Sequence, residues 1–468
     1  MSLWGCASEG RKIMSHKKIV LALGLALQGI CSGGLALTGA PLHAETSASG
    51  GVLATPGQIA FEKHVLRIME HPVLQAEIRR VEALYSADPQ GATPTGKATI
   101  KRAAHAIAVT AAQYAVGEDT DRPGVFWVIN APHDWFGIQF PRSAYGIENP
   151  DNVYRNLMVD GAVRYEIHGR LERQGPVEQH FELRDSIPGT GAMGPEGGQQ
   201  VATLNNDTMQ IAADGTFTIT IDSSPANGRA NHMQMPAEGK FLLIVRDLFT
   251  DWGTQNPVAL DVRRISGPAV RPARTDDEIA QRATAILSQM APYWLNYFNQ
   301  YTYGAQPNQI KQARVRPGGR GMSSGGYFNL AVDQALLITL DAVSAKSLGI
   351  QITDPWGVAY EYTNRTSSLN NTQAKPNADG TYTFVVSQRD PGVYNWLDPE
   401  GHAAGLMAIR WQAMSGGGTP GNAVRSAQVV PLARLKQVLP KGTQFVTPAQ
   451  RKAQQAERAA HYARRLGQ

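Results

Sequence analysis

The sequence predicts a mainly β protein with flanking helices, built from two related antiparallel β units of the sandwich or jelly-roll type. Three observations predict this class. The chain has 468 residues, which is enough for two or three domains. Its central part consists of short β-branched and aromatic runs separated by Gly, Pro, Asn and Asp. Segments of that central part also repeat one another, which indicates an internal duplication.

Three pairs of segments carry the repeat, and they occur in the same order. YRNLMVD from Tyr154 matches YFNLAVD from Tyr327 at five of seven positions. LNNDTMQIAADGTFTITI aligns without gaps to LNNTQAKPNADGTYTFVV, and eight of the eighteen positions are identical. GKFLLIVRD, around Arg246, corresponds to AGLMAIRWQ, around Arg410. The offsets of 173, 165 and 164 residues allow small insertions and deletions between two copies of a β unit.

The shared residues predict the local structure of each copy. Asp-Gly at 214–215 and at 379–380 separates alternating runs, as hairpin turns do, because Gly accepts a positive φ without a Cβ clash. In the run 217–221 apolar residues alternate with threonines, so one strand face is expected to be buried. Asp160 and Asp333 fall at the same place in the first alignment, which favours a role in the shared fold. A pair of carboxylates flanking a sugar bond is the alternative.

The first 44 residues predict a secretory signal peptide. Lys17 and Lys18 precede an apolar run, and small residues lead to a cleavage site at 42–44. The run is shorter than the roughly 20 residues that a spanning helix needs, so no stable membrane span is expected after cleavage. Cleavage would also remove both cysteines, Cys6 and Cys31, and would lower the net charge from +5 to +2. We therefore expect a periplasmic or secreted protein without disulfides and without a nucleic-acid partner.

The rest of the chain is expected to divide into five parts. These are an N-terminal helical region at 45–120, a first β unit at 121–270, a connecting helix at 271–305, a second β unit at 306–445 and a C-terminal helix at 446–468. Apolar residues at helical spacing predict helices near 59–74, with Pro72 as an interruption, and at about 97–116. Thr275 to Glu278 forms a capping box that starts the connecting helix.

Two long segments carry a family resemblance. NPDNVYRNLMVDGAVRYEIHGR and YEYTNRTSSLNNTQAKPNADGTYTFVVSQRDPGVYNWLD resemble bacterial proteins of the domain of unknown function 1214 family, often paired with the domain of unknown function 1254. The resemblance covers roughly residues 149–411 and is strongest in the second half. It implies a jelly-roll-like β fold and no established reaction, so no catalytic residue is carried over. The amino-terminal helices do not obviously match the companion domain.

One candidate site lies in the stretch FWVINAPHDWFGIQF. His133 and Asp134 are candidate catalytic residues, because a histidine beside a carboxylate can transfer protons when both face a cleft. Trp135 is a candidate ligand-binding residue in the same aromatic surroundings. Neighbouring residues on a strand face opposite ways, so the pair needs a turn, which Pro132 would supply. The alternative is a structural role.

A second candidate site lies in the second copy, in the stretches NRTSSLNN and SQRDPGVYNWLD, which contain residues that differ from the first copy. Residues that differ between copies are better candidates, since one copy can specialise. Asp390 is a candidate catalytic residue. The candidate ligand-binding residues are Arg365, Arg389, Asn395 and Trp396. Such side chains suit sugar rings or small anions through stacking and forked hydrogen bonds, and the alternative is an Arg–Asp pair with a core Trp.

Three further motifs are weaker. Gly321–Gly325 fits G-x-S-x-G, but no strand–turn–helix context surrounds it, so a flexible loop is expected. Asp119-Thr120-Asp121 resembles the start of a calcium loop but fails at the later ligand positions, which leaves only a looser calcium site open. No histidine pair has zinc spacing, and neither a metal nor a cofactor is expected.

Together these observations favour an exported protein that binds a carbohydrate-like or small polar or aromatic ligand. One alternative is a hydrolase or lyase that uses Asp/His acid–base chemistry. Another is a structural module whose sheets assemble into homo-oligomers. The sequence leaves the ligand, the strand order and the question of enzymatic activity open.

Overall fold

The computed structural model describes residues 52–194, 198–414 and 420–467. The predicted signal peptide and both cysteines lie outside these residues. Within the described part of the chain, no helix combines the length and the apolarity that crossing a bilayer requires.

Six helices are described. They are α1 (Pro56–Met69), α2 (Pro72–Ala87), α3 (Pro94–Val116), α4 (Asp276–Tyr301), α5 (Leu435–Val438) and α6 (Pro448–Ala463). The first three each begin with a proline directly after a capping side chain, a position where its missing N–H is harmless. Pro72 therefore begins α2 and does not interrupt a longer helix. The capping box at the start of α4 is confirmed, because Thr275 and Glu278 cap each other's backbone.

The first β unit contains two packed sheets and a small hairpin. Its strands are β1 (Phe126–Val128), β2 (His133–Trp135), β3 (Ile138–Phe140), β4 (Asn152–Asp160), β5 (Arg164–Arg170), β6 (Glu178–Arg184), β7 (Gln200–Asn205), β8 (Thr216–Asp222), β9 (His232–Gln234), β10 (Lys240–Leu248) and β11 (Ala259–Ser266). The five-stranded sheet has the order β1-β4-β10-β6-β7, and the four-stranded sheet has the order β11-β5-β8-β9. β2 and β3 form the hairpin.

In the second β unit, nine strands are found among the described residues. They are β12 (Arg314–Val315), β13 (Met322–Asn329), β14 (Gln334–Leu340), β15 (Ser347–Ile352), β16 (Ser368–Asn370), β17 (Tyr382–Val386), β18 (Trp396–Leu397), β19 (Ala404–Gln412) and β20 (Val424–Pro431). The sheet orders are β12-β13-β19-β15-β16 and β18-β17-β14-β20.

The two units have the same topology once the β2–β3 hairpin is set aside. Taken in chain order, each strand of the first unit has a counterpart with the same neighbours in the second. Even the exception to antiparallel pairing is repeated, since β9 runs parallel to β8 and β18 runs parallel to β17. The predicted mainly β fold with two related sandwich-like units is confirmed. The five-part division of the chain stays a prediction.

The strand register corrects one of the three sequence alignments. Arg246 on β10 pairs with Tyr154 on β4, whereas Arg410 on β19 pairs with Ser323 on β13. Tyr154 therefore corresponds to Ser323 and not to Tyr327, so the first alignment is shifted by four residues. A shift by an even number leaves every side chain on its original face, so the alternation of apolar residues cannot detect it.

The same correction removes the predicted match of two aspartates. Asp160 pairs with Lys240 at the end of β4, and the corresponding residue of the second unit, which pairs with Ala404, is Asn329. Asp333 instead lies in the turn before β14. The other two alignments agree with the strand pairing. Both predicted Asp-Gly turns have their glycine at φ +84°, which a residue with a Cβ rarely adopts.

Each unit has its own apolar core between its two sheets. The inner faces of β4, β6 and β10 contribute to the first core, and those of β13, β15 and β19 contribute to the second. In the first unit, the outer face of the five-stranded sheet also packs against helices α1, α3 and α4 through residues such as Met158, Leu242 and Ile244. In the second unit the outer face of the corresponding sheet is polar or small, with Gly349, Gln351 and Arg410. The polar parts of these two outer faces enclose the candidate site.

Candidate ligand-binding site

A cavity of about 370 Å³ lies between the two β units. The outer faces of β4, β6 and β10 line one side, and β13 and β19 line the other. The C-terminal half of α4 closes a third side through Trp294, Tyr297 and Tyr301. The segment at 311–320 of the second unit also contributes to the lining, and its Gly318 carbonyl accepts a hydrogen bond of 2.9 Å from His180 Nε2. Cavities of this size at the junction of two units commonly hold small molecules.

Basic side chains dominate the lining. There are seven of them: Arg184, Arg246, Lys311, Arg314, Arg316, Arg320 and Arg410. Only two acidic side chains, Glu148 and Glu178, belong to the lining among the described residues. This imbalance concentrates positive potential inside a concave surface, where protein walls strengthen it. The cavity therefore favours an anion.

Three of these cations form ion pairs with Glu182, on β6. Arg184, Arg246 and Arg320 all approach its carboxylate, with Arg246 Nη1 at 2.6 Å and Arg320 Nη1 at 3.7 Å. Burial opposes ionisation of Glu182, but the three arginines outweigh it and hold its pKa well below the usual range. The three guanidinium groups thus share one buried carboxylate.

Arg246 and Arg410 are equivalent residues of the two β units, and each lines the cavity from its own unit. They occupy corresponding positions on the central strands β10 and β19. The Arg410 guanidinium donates to the neutral side chain of Gln351 (2.6 Å) and to the Ile147 carbonyl (2.5 Å). Burial lowers the pKa of Arg410, Tyr154, Glu148 and Asp151 oppose this change, and the like charge of Arg246 adds a smaller lowering. An anion bound beside both guanidinium groups would reduce their repulsion.

Two titratable groups on β6 face the cavity beside these arginines. Burial raises the pKa of Glu178 to about 7, although the Ala413 N–H, which donates to Oε2 at 2.9 Å, opposes the change. Burial lowers the pKa of His180 to about 4, and the nearby Arg246 adds to the effect. The pKa of His180 therefore lies below neutral pH, and that of Glu178 lies near it.

An aromatic wall belongs to the same lining: Trp294, Tyr297 and Tyr301 lie on α4, and Tyr145 lies between β3 and β4. The ring centroids of Tyr145 and Trp294 lie 5.5 Å apart, those of Trp294 and Tyr297 5.4 Å, and those of Tyr297 and Tyr301 4.9 Å. Such a row offers flat apolar surface for a planar or ring-shaped ligand group. The cavity thus combines a charged side with a stacking side.

The candidate residues of the β2–β3 hairpin lie elsewhere. His133 and Trp135 point inward to Glu62 on α1, with Nε2 and Nε1 at 3.2 and 2.6 Å from its two carboxylate oxygens. Gln58 donates to the same carboxylate at 2.9 Å. Asp134 faces the opposite way and is exposed, as the alternation along a strand requires. The structure therefore does not bring His133 and Asp134 together, and the inward-facing side chains form a buried hydrogen-bonded cluster around Glu62.

The candidates of the second unit also lie outside the cavity lining. Asp390 pairs with Arg451 of α6 at 2.9 Å, and that guanidinium lies 5.3 Å from the ring of buried Trp396. Asn395 is buried and bonded to the backbone of Lys375. Two arginines complete the set. Arg365 pairs with Asp398 at 2.7 Å, and Arg389 is exposed. These contacts give most of the candidates a structural task, and their assignment to a site stays a prediction.

The weaker motifs are also placed by the structure. Met322–Asn329 is a strand, so the flexible loop predicted for Gly321–Gly325 is wrong. Its Ser323 and Ser324 line the cavity. Asp119 and Asp121 bind arginines, with Asp121 at 2.6 Å from Arg271. Over the described residues, no group of three or more His, Cys, Asp or Glu side chains could hold a metal ion.

Sequence reasoning missed the β6 residues because the repeat was aligned without a counterpart for this strand. With the register of the structure, Glu178, His180 and Glu182 correspond to Ser347, Gly349 and Gln351. One copy thus carries charged and titratable groups where the other carries small or neutral ones. The criterion that specialised residues differ between the copies was sound, but it needed the correct register.

The protein therefore consists of two tandem sandwich-like units with a cationic cavity between them. Residues 145–250 match the family model described as "Protein of unknown function (DUF1214)", which confirms the resemblance for that segment. The match lies in the first β unit, whereas the resemblance was expected to be strongest in the second half. It includes β4, β6 and β10, which form one side of the cavity. The pairing with the domain of unknown function 1254 stays a prediction.

Solved structures extend the comparison at the level of the fold. An uncharacterised protein from Burkholderia cenocepacia is 23% identical, with a TM-score of 0.60 over 81% of this chain and 99% of the other. A protein from Vibrio parahaemolyticus is 11% identical over 61% of this chain and 90% of the other, and its TM-score of 0.35 is too low to show a shared fold. No curated protein matches the chain.

Proposed function

We propose that this protein binds a small organic anion in the cavity between its two β units. The observation that carries the proposal is that Arg246 and Arg410, from corresponding strands of the two units, both line a cavity in which basic side chains outnumber acidic ones among the described residues. A neutral sugar would gain little from this charge, so the predicted carbohydrate-like ligand is narrowed to one that carries a carboxylate, phosphate or sulfate group. We retain export as part of the proposal, on the basis of the predicted signal peptide.

The anionic group binds between Arg246 and Arg410. Arg246 donates a hydrogen bond from Nη1 to Glu182. Within the described ranges, the guanidinium makes one other hydrogen-bond contact, a long one of 3.5 Å to His180. Arg410 has only neutral hydrogen-bond partners there. Both guanidinium groups therefore retain N–H donors for a ligand oxyanion, and arginine suits carboxylate and phosphate geometry because its donors form a planar fork.

The remainder of the ligand packs against the aromatic wall of α4. Trp294, Tyr297 and Tyr301 all belong to the lining, and their rings form a continuous row. This arrangement supports a ligand with an aromatic or sugar ring next to its anionic group, because rings of both kinds stack on aromatic side chains.

A ligand panel with matched variants tests this function. Sulfate, benzoate, 2-naphthoate, galacturonate and glucose 6-phosphate are compared with neutral benzamide and glucose by thermal shift, followed by calorimetry. We expect anions to stabilise the wild type and the neutral compounds to have no effect. Arg246→Gln and Arg410→Gln should each weaken the best anion about 10-fold to 100-fold, since a hydrogen bond to a charged group contributes about 1.5–3 kcal/mol.

Arg425→Gln is the matched control, because Arg425 is an exposed arginine on β20, outside the lining, and pairs with Asp341. It should leave the affinity within twofold. The proposal fails if no anion binds, or if the anion binds equally well to both cavity variants.

Acid–base catalysis is a second candidate function, and the observation that favours it is the pair Glu178 and His180. Both line the cavity and both have pKa values moved by burial, which is typical of residues that transfer protons in active sites. A hydrolase or lyase would convert a bound anion. Incubation of each anion that binds, followed by NMR of the mixture, would detect a product that Glu178→Gln no longer forms.

A further inference from the structure

Glu178 has a special position in the cationic cavity. It lies at the start of β6, pairs in register with Leu248 of β10, and reaches the second unit, where Oε2 accepts the Ala413 N–H at 2.9 Å. Its other carboxyl oxygen, Oε1, has no hydrogen bond to any described residue. An oxygen that is neither paired nor fully enclosed in the wall of a cavity is available to a ligand.

The charged groups around Glu178 come from four elements. His180 is the next residue on the same face of β6, Arg246 lies on β10, Asp207 follows β7, and Lys346 precedes β15 of the second unit. Asp207 opposes a negative charge on Glu178, whereas Arg246 and Lys346 favour one. Burial is the largest influence on its pKa, and it favours the neutral acid.

A carboxylate in this position would repel the anion that the cavity is proposed to bind. A carboxylic acid would instead donate its O–H to a ligand oxygen, as a charge-assisted hydrogen bond. We propose that Glu178 binds the ligand as a neutral acid through Oε1–H and so selects anions that present an acceptor oxygen beside the group held by Arg246 and Arg410. This inference rests on the proposed function and names a specificity-determining residue for it.

The consequence is a loss of affinity as the pH rises. With a pKa of about 7, the protonated fraction of Glu178 falls from about 0.9 at pH 6 to about 0.01 at pH 9. If only the protonated form binds, the apparent dissociation constant rises by about 100-fold across this range. An ionised Glu178 that bound a cationic group of the ligand would produce the opposite trend.

The test uses the full chain with sulfate and with benzoate, whose own charges do not change between pH 6 and pH 9. Calorimetric titration of the wild type should show the loss of about 100-fold for whichever of them binds. Glu178→Gln, which keeps a donor but cannot ionise, should bind with an affinity that does not change with pH. Glu178→Ala should also be independent of pH but bind more weakly than Glu178→Gln.

Two control variants identify the titrating group. Glu148→Gln removes the other cavity carboxyl whose pKa burial raises to about 7, and it should retain the pH dependence of the wild type. Glu238 is an exposed residue that precedes β10, at the end of that strand far from Leu248, the partner of Glu178. Glu238→Gln should therefore also behave like the wild type. Near-UV circular dichroism checks that each variant is folded.

Three results would overturn the inference. If the wild type binds an anion with an affinity independent of pH, or with an affinity that rises with pH, Glu178 does not act as a donor while the proposed function stands. If Glu148→Gln removes the pH dependence, the donor is Glu148. If neither anion binds to any variant, the proposed function fails for these probes and the role of Glu178 fails with it.

Discussion

Glu148→Gln should remove a large part of the pH dependence of the protein's stability. Glu148 lies between the two β units and is 5% exposed. Its carboxylate accepts the Ala359 N–H at 3.1 Å and lies 3.5 Å from Arg142, which also pairs with Glu361 at 3.1 Å. Burial raises the pKa of Glu148 to about 7 because these contacts compensate only in part for lost hydration.

The magnitude follows from the difference in pKa between the two states. Below about pH 4.5 the carboxyl is protonated in both the folded and the unfolded chain, so its contribution to stability is fully present. Between about pH 4.5 and pH 7 the unfolded chain ionises first, and the free energy of unfolding falls by about 1.4 kcal/mol for each pH unit. Glu148 should therefore cost about 3 kcal/mol once the pH exceeds 7. Gln in its place resembles the protonated form and does not titrate.

Urea denaturation of both proteins at pH 5, 6, 7 and 8 measures this effect. The variant should gain about 2.5 kcal/mol relative to the wild type between pH 5 and pH 8, with most of the change below pH 7. Other titrating groups, Glu178 among them, are present in both proteins and cancel in the difference. A difference that stays constant with pH, or that favours the wild type at high pH, would refute the conclusion that burial dominates over Arg142.

Three further changes test what holds the molecule together. Glu62→Ala should cost about 3–5 kcal/mol in urea denaturation, because three buried side chains lose the carboxylate to which they donate. Asp247→Ala should cost a similar amount, about 3–5 kcal/mol, because the buried Arg155 guanidinium loses its 2.6 Å partner. Deletion of α6 should lower the midpoint of thermal unfolding and increase the binding of a hydrophobic dye, because it uncovers Trp252.

Asp261→Ala is the matched control for the two buried carboxylates. Asp261 and Arg263 form an exposed pair on β11, so its loss should change stability by less than about 1 kcal/mol. The reasoning from burial is contradicted if the Glu62 or Asp247 variant is as mild as this control. For the helix deletion, an unchanged unfolding midpoint would show that α6 is not required for the stability of the rest.

The fold could be predicted from the sequence because its determinants are local. Three features act over only a few residues and can be recognised in the sequence. They are the alternation at 217–221, the Asp-Gly turns of both copies and the capping box at Thr275. The duplication could also be recognised, since two of its three segment pairs agree with the strand register. The third pair was wrong by four residues because such a shift leaves the alternation intact.

The candidate site could not be predicted in the same way. His133 and Trp135 have the composition of an active site, but their hydrogen-bond partner is Glu62, which is about 70 residues earlier in the chain, so only the tertiary structure reveals this buried cluster. The cavity residues Arg246 and Arg410 lie 164 positions apart. Both line one cavity only because the two sheets pack with their outer faces towards each other.

The sequence by itself determined the secondary structure, the duplication and the β class, because hydrogen bonding and side-chain periodicity operate between near neighbours. The tertiary structure alone decided which charges converge. Positive potential in a cavity and the pKa of Glu178 depend on distances between strands that are far apart in the chain and on the exclusion of water between them. Neither quantity is encoded in a local pattern.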